Sequence, residues 1–114
     1  MSGPAPDPVA AFAALDLRVG RVTRAEPNVG ARKPSAKLWI DFGPLGAKTS
    51  SAQLVALYRP EDLVGRLVVA AVNLGVRRIA GFASEVLVLG LPDAEGNVVL
   101  LQPERDVPLG GRVY

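Results

Sequence analysis

The sequence predicts an all-β fold: a small five-stranded Greek-key barrel with a short N-terminal helix and a second helix between its third and fourth strands. Three observations lead there. Short runs of strand length, rich in β-branched residues, recur along the chain between turn-forming residues. Their order is strand, basic loop, strand, strand, helix, strand, loop, strand. The length of 114 residues, 49% of them hydrophobic, suits one domain with one core.

The elements follow in chain order. Met1 to Pro6 carries Gly and Pro without periodicity, and we read residues 1–8 as a flexible tail and 9–114 as one domain whose terminal extensions join in dimerisation. Asp7 is placed to cap a short helix with Pro8 at its first position, and Val9, Phe12, Ala13 and Leu15 give that helix an apolar stripe. Leu17, Val19 and Arg21 share one face of the first strand, and Arg18, Gly20, Val22 and Arg24 the other, until Pro27 and Asn28 break it. Asn28 to Pro34 is a basic, turn-rich loop. In Ala36 to Phe42 the alternation sends Leu38, Ile40 and Phe42 to the core and Lys37, Trp39 and Asp41 to the other face.

Gly43, Pro44 and Gly46 turn the chain into a third strand, Ala47 to Ser50, which is expected to run into a helix over Ser51 to Tyr58 that Pro60 stops. Leu67 to Val72 and Val86 to Leu91 are continuous apolar runs, so both of their faces need cover. A basic loop separates them. Val98 to Leu101 is one more short strand, and Pro103 to Val113 an extended tail. The order and length match the OB type of barrel. Such a barrel covers only the inner faces of its strands; the N-terminal helix can cover part of the apolar outer face and a second copy the rest, which predicts a symmetric homodimer.

Composition narrows the function. The chain has no cysteine and no histidine, which removes disulfides, thiol chemistry and the side chain best suited to proton transfer near neutral pH. Gly46 to Ser50 superficially suggests a phosphate loop, but its glycine is displaced by one position. The carboxylates lack metal-ligand spacing. A non-enzymatic binding protein without cofactor or metal is expected. No apolar run is long enough to span a bilayer and nothing resembles a secretory signal, so the expectation is no membrane insertion and a cytoplasmic location.

Charge is uneven. Between Arg18 and Lys48, Arg18, Arg21, Arg24, Arg32, Lys33, Lys37 and Lys48 face only Glu26 and Asp41, whereas the C-terminal section is acidic. One face can therefore attract polyanions. Arg77 and Arg78 can hold phosphates by forked hydrogen bonds, with Arg32, Lys33, Lys37 and Lys48 as a second basic edge on the same barrel face; an ordinary solvated loop is the competing reading. Trp39 and Phe82 can stack on bases or receive an apolar peptide side chain, and core packing competes, more so for Phe82. Asn73 can read a base edge or simply end its strand. Ser84 and Glu85 can bind ligand or fix the loop through Arg78.

Several motifs in one order carry a resemblance: Phe12 to Glu26 (FAALDLRVGRVTRAE), Lys37 to Gly43, Ser50 to Leu54 (SSAQL), Val69 to Leu74 (VAAVNL), Arg78 to Phe82 (RIAGF) and Ser84 to Gly90 (SEVLVLG). Together they resemble the bacterial CsaA family, within the larger group of tRNA-binding OB domains, over nearly the whole chain. In the tRNA-binding relatives Ser-Glu usually continues with Gly-Met; here Val86 and Leu87 follow, as in CsaA. The resemblance implies a homodimeric, export-related chaperone with a tRNA-binding capacity inherited from the wider group. Two functions then divide the residues. Capture of unfolded or export-bound polypeptides would use Trp39, Leu74 and Phe82. Binding of tRNA would use Lys33, Lys37, Arg77 and Arg78 on phosphates and Asn73, Ser84 and Glu85 closer to the bases.

Overall fold

The computed structural model describes residues 7–114. Its framework is a five-stranded antiparallel sheet in the order β3-β2-β1-β4-β7, where β1 is Leu17–Pro27, β2 Ala36–Asp41, β3 Ala47–Ala52, β4 Leu67–Ala71 and β7 Leu87–Val88. The sheet curls until its ends meet. The amides of Glu85 and Val86 donate to the Thr49 carbonyl at 2.8 and 3.1 Å, so the chain entering β7 nearly closes the barrel against β3. Two short hairpins, β5 (Arg77–Ile79) with β6 (Phe82–Ser84) and β8 (Gly90–Pro92) with β9 (Val98–Leu100), hang on this frame.

Strand β1 makes the curl possible. Its first half pairs with β4 and its second with β2, and the register slips between Val22 and Arg24, a bulge that bends the strand where the two halves diverge. Gly20, two residues before the slip, has no room for a side chain: a Cβ there would lie 2.6 Å from Ile40 Cγ2 and 2.8 Å from the Phe42 ring. Inside, β2 alternates as its sequence predicts: Leu38 and Ile40 are fully buried, with Val22, Phe42, Leu63, Val68, Ala70 and Val86 around them.

β4 is buried on both faces. Its outer side is covered from within the chain, because the C-terminal segment lies along β1: Gly110 and Val113 donate to the Val19 and Leu17 carbonyls, and Val19 donates back to Gly111. The cover is incomplete. An apolar cleft of about 480 Å³ remains between Leu17, Val69, Leu89, Leu101, Val107 and Val113, and Leu87 and Leu91 are more than half exposed.

Four local expectations are corrected. The helix over Ser51 to Tyr58 is absent: β3 continues to Ala52, one hydrogen bond from Tyr58 N to Leu54 O makes a single turn, and the helix α2 is Pro60–Leu63. Pairing with β2 holds Ser51 and Ala52 extended, and Pro60 opens a helix rather than closing one. The run Val86 to Leu91 is not one strand but β7 and β8, divided at Leu89. Gly90, beside that break, has no room for a Cβ, which would stand 2.5 Å from Val98 Cγ1.

The basic loop is in fact the hairpin β5-β6, turned by Ala80 and Gly81, both at positive φ (51° and 79°), the backbone that matches strand twist in a two-residue turn. Finally, the N-terminal helix α1 (Pro8–Ala14) is capped by Asp7 and opened by Pro8, but it buries none of its residues and leaves Val9 and Phe12 exposed. Of the expected tail, residues 1–6 lie outside the described residues. No helix among the described residues is long and apolar enough to cross a membrane.

Candidate nucleic-acid interface

The outer face of β2 presents Lys37 and Trp39 on one side of the barrel, because strand alternation points them away from Leu38 and Ile40. The β5-β6 hairpin leans over this face. Phe82 meets Trp39 edge to face, with ring centroids 5.4 Å apart at 70°. The Arg24 guanidinium lies 4.5 Å over the Trp39 ring, and Lys37 Nζ 5.3 Å over the Phe82 ring. Cation, aromatic, aromatic and cation thus form a ladder, each positive group resting on the negative face of a ring. Arg24 is also ion-paired with Glu26.

The hairpin is latched to β3 by side chains rather than by a sheet ladder. Ser84 Oγ accepts from Ser51 N at 2.9 Å. Glu85 Oε1 accepts from Thr49 N (3.0 Å) and Thr49 Oγ1 (2.9 Å), and the same hydroxyl lies 2.6 Å from the Ala83 carbonyl. Glu85 therefore anchors the base of the hairpin through Thr49. It does not pair with Arg78, whose Nη1 donates to Gly81 O instead.

Asn73 spends its amide on the chain itself: its Oδ1 accepts from Asp16 N (2.9 Å) and its Nδ2 donates to Ala14 O (2.8 Å), which fixes the end of α1.

The two adjacent arginines part company. On β5 they face opposite sides, Arg77 opposite Ser84 and Arg78 opposite Ala83. Arg77 lines a groove of about 530 Å³ with Leu54, Leu74, Ile79, Ser84 and Val86, while Arg78 points away from it. Lys33 and Arg32 stand on the β1-β2 loop. Lys48 does not share the face of Lys37: its register partner is Ile40, which places it with the opposite side of the sheet, a correction to the expected basic edge. Leu74 is exposed at the groove, and Trp39 and Phe82 are half-buried.

Ion pairs are sparser in this region than on the rest of the surface. Arg18, Arg21, Arg24, Arg59, Arg105 and Arg112 all have carboxylate partners. Among the described residues, Arg32, Lys33, Lys37, Arg77 and Arg78 here, and Lys48 and Arg66 away from this face, form no ion pair. Away from the face, the Asp62 carboxyl is held below the ordinary aspartate range by its hydrogen bond from Arg59 and the guanidinium charge. Among the described residues no group of His, Cys, Asp and Glu is placed to hold a metal.

Sequence reasoning missed Arg24 as part of the ladder and Asn28 altogether. Arg24 reaches Trp39 only through the bulged register of β1 on β2, which no local pattern announces. Asn28 read as a turn residue, yet it is buried and bonded to Ser51 and Ile79.

Known proteins share both sequence and architecture with this chain. The family model described as "Putative tRNA binding domain" matches residues 17–112. Methionine–tRNA ligase of Methanocaldococcus jannaschii is 38% identical over 99 residues, which are 87% of this chain and 15% of that protein; the corresponding enzyme of Methanothrix thermoacetophila is 41% identical over 99 residues and 14% of its length. The chain thus spans about a seventh of these curated relatives. Among solved structures, chaperone CsaA of Bacillus anthracis is 50% identical with a TM-score of 0.85, covering 96% of this chain and 100% of that one. The CsaA chaperone of Picrophilus torridus is 37% identical, with a TM-score of 0.87 and the same coverage. The register, the nearly closed barrel and these matches agree, and the chain belongs to the tRNA-binding domain family.

Proposed function

We propose that this chain is a non-enzymatic tRNA-binding protein whose basic loop (Arg32, Lys33), β2 face (Lys37) and hairpin (Arg77, Arg78) grip the phosphate backbone around the Trp39–Phe82 pair. One observation carries the reading: of the seven cations without a carboxylate partner among the described residues, five lie on the β1-β2 loop, the β2 face and the hairpin, the segments that bear or adjoin the Trp39–Phe82 pair. Unpaired cations flanking flat rings suit a polyanion with bases to stack, and the few aromatic residues favour recognition of shape and backbone over sequence. Ser84 and Glu85 serve this site by fixing the hairpin, whereas Asn73 is committed to the end of α1.

A second reading, capture of unfolded or export-bound polypeptides in the manner of a CsaA-type chaperone, is supported by the likeness to two solved CsaA chaperones and by the groove beside Leu74. The apolar cleft and the exposed Leu87, Leu91 and Leu101 support a homodimer, and a cytoplasmic site of action fits either ligand.

Titration of the purified chain with bulk tRNA and with an unfolded, signal-bearing polypeptide at low and high salt separates the readings. Binding to tRNA that weakens steeply with salt upholds the first. Polypeptide binding that persists at high salt, with negligible tRNA binding, replaces it with the second. Sedimentation of the chain as a monomer at micromolar concentration would remove the homodimer.

A further inference from the structure

We infer that Asn28 is the positioning residue that holds the two basic arms of the interface at a fixed spacing, so that tRNA affinity depends on it although it carries no charge. The inference rests on the tRNA reading above. Three segments distant in sequence meet on this one buried side chain, only 5% exposed. Its backbone amide donates to Ser35 O at 2.9 Å and its carbonyl accepts from Ala31 N at 3.3 Å, which closes the loop that bears Arg32 and Lys33. Its side-chain Nδ2 then donates twice, to Ser51 Oγ on β3 at 3.0 Å and to the Ile79 carbonyl at 3.2 Å, the residue that follows Arg77 and Arg78 on the hairpin.

The other latches lie at the base of the hairpin, on Ser84, Glu85 and Ala83. The bond to Ile79 secures the hairpin next to its turn, on the strand that carries the arginines. Asn28 Oδ1 is buried with no hydrogen-bond partner among the described residues, so what this side chain contributes here is its two donors. A polyanion has a fixed phosphate spacing. Cations on two independent loops must be ordered when it binds, whereas arms already tied together avoid that entropic cost.

The test is a double-mutant cycle read by affinity for bulk tRNA. Asn28→Ala is expected to weaken binding about five- to tenfold in the otherwise native chain and less than about twofold in an Arg77→Ala/Arg78→Ala background, since the clamp acts through the arm that background lacks. Equal losses in both backgrounds, or no loss in the native one, overturn the inference. Should Asn28→Ala fail to fold, Ser51→Ala removes one of the two acceptors and leaves the backbone bonds in place. Its loss must likewise vanish in the arginine-free background, and an unchanged affinity in the native background overturns the inference. Absence of tRNA binding by the native chain would instead reject the tRNA reading itself.

Discussion

Removing Arg77 and Arg78 tests the charge argument through the salt dependence of binding, a quantity that general destabilisation does not alter in a defined way. If Arg32, Lys33, Lys37, Arg77 and Arg78 each neutralise one phosphate, log K should fall with log salt at a slope of about −4.5, taking about −0.9 per phosphate on duplex-like tRNA. Between 50 and 200 mM salt that slope is a loss of about 500-fold in affinity. The Arg77→Ala/Arg78→Ala chain keeps three of these cations, so its slope should relax to about −2.7 and the same salt step should cost only about 40-fold. Because the arginines lie on opposite faces of β5, the single variants discriminate further. Each removes about 0.9 from the slope if the RNA wraps both faces of the hairpin, whereas only Arg77→Ala does so if the RNA is confined to the groove side. Fluorescence anisotropy of labelled tRNA across a salt series supplies the slopes. A double variant with the native slope would refute the assignment of these residues to phosphates, whatever its affinity.

Three further outcomes follow from the geometry. Trp39 is the chain's only tryptophan and carries Arg24 on its face, so its fluorescence should change on saturation with tRNA; if a base stacks there, Trp39→Ala should cost about 1–3 kcal/mol of binding. An unaltered emission spectrum would place the ring outside the interface. Gly20→Ala should destabilise the fold by about 1–3 kcal/mol in urea denaturation, since its methyl would strike the buried Ile40 and Phe42, and a native midpoint would mean that β1 bends differently. Asp62, depressed by Arg59, contributes a small stability present above the unfolded aspartate value of about 3.9 and lost as pH falls through the lower folded value. Asp62→Asn should therefore be less stable than native at neutral pH and equal to it in stronger acid. A difference that persists there would point to a cause other than the carboxylate charge.

The framework was legible because it is written in short-range patterns. Alternation in Ala36 to Phe42 places Leu38, Ile40 and Phe42 inside and Lys37 and Trp39 outside, as the structure has them. Asp7 and Pro8 likewise mark the start of α1. What failed depends on distant partners. Ala52, Gln53, Leu54, Ala56 and Leu57 have helical composition, yet pairing of Ala36 with Ala52 decides the backbone there. The Ala80-Gly81 turn lacks the asparagine or aspartate that usually announces a hairpin. The site divides in the same way: Lys37, Trp39, Arg77 and Arg78 stand out by type and position, but only long-range contacts show that Arg24 and Phe82 complete a ladder, that Glu85 serves Thr49, and that Asn28 joins two loops.

The seam at Thr49 has a consequence for the order in which the protein can be assembled during synthesis. One basic arm leaves the ribosome early, on residues 28–35, and the other late, on residues 77–84. The carbonyl of Thr49 receives the amides that both close the barrel and follow the second arm. Until residue 86 has emerged, the early arm lacks its counterpart and the barrel lacks its last edge. The closing edge of the barrel and the second basic arm therefore arrive together, and a nascent chain cut short of residue 86 presents neither.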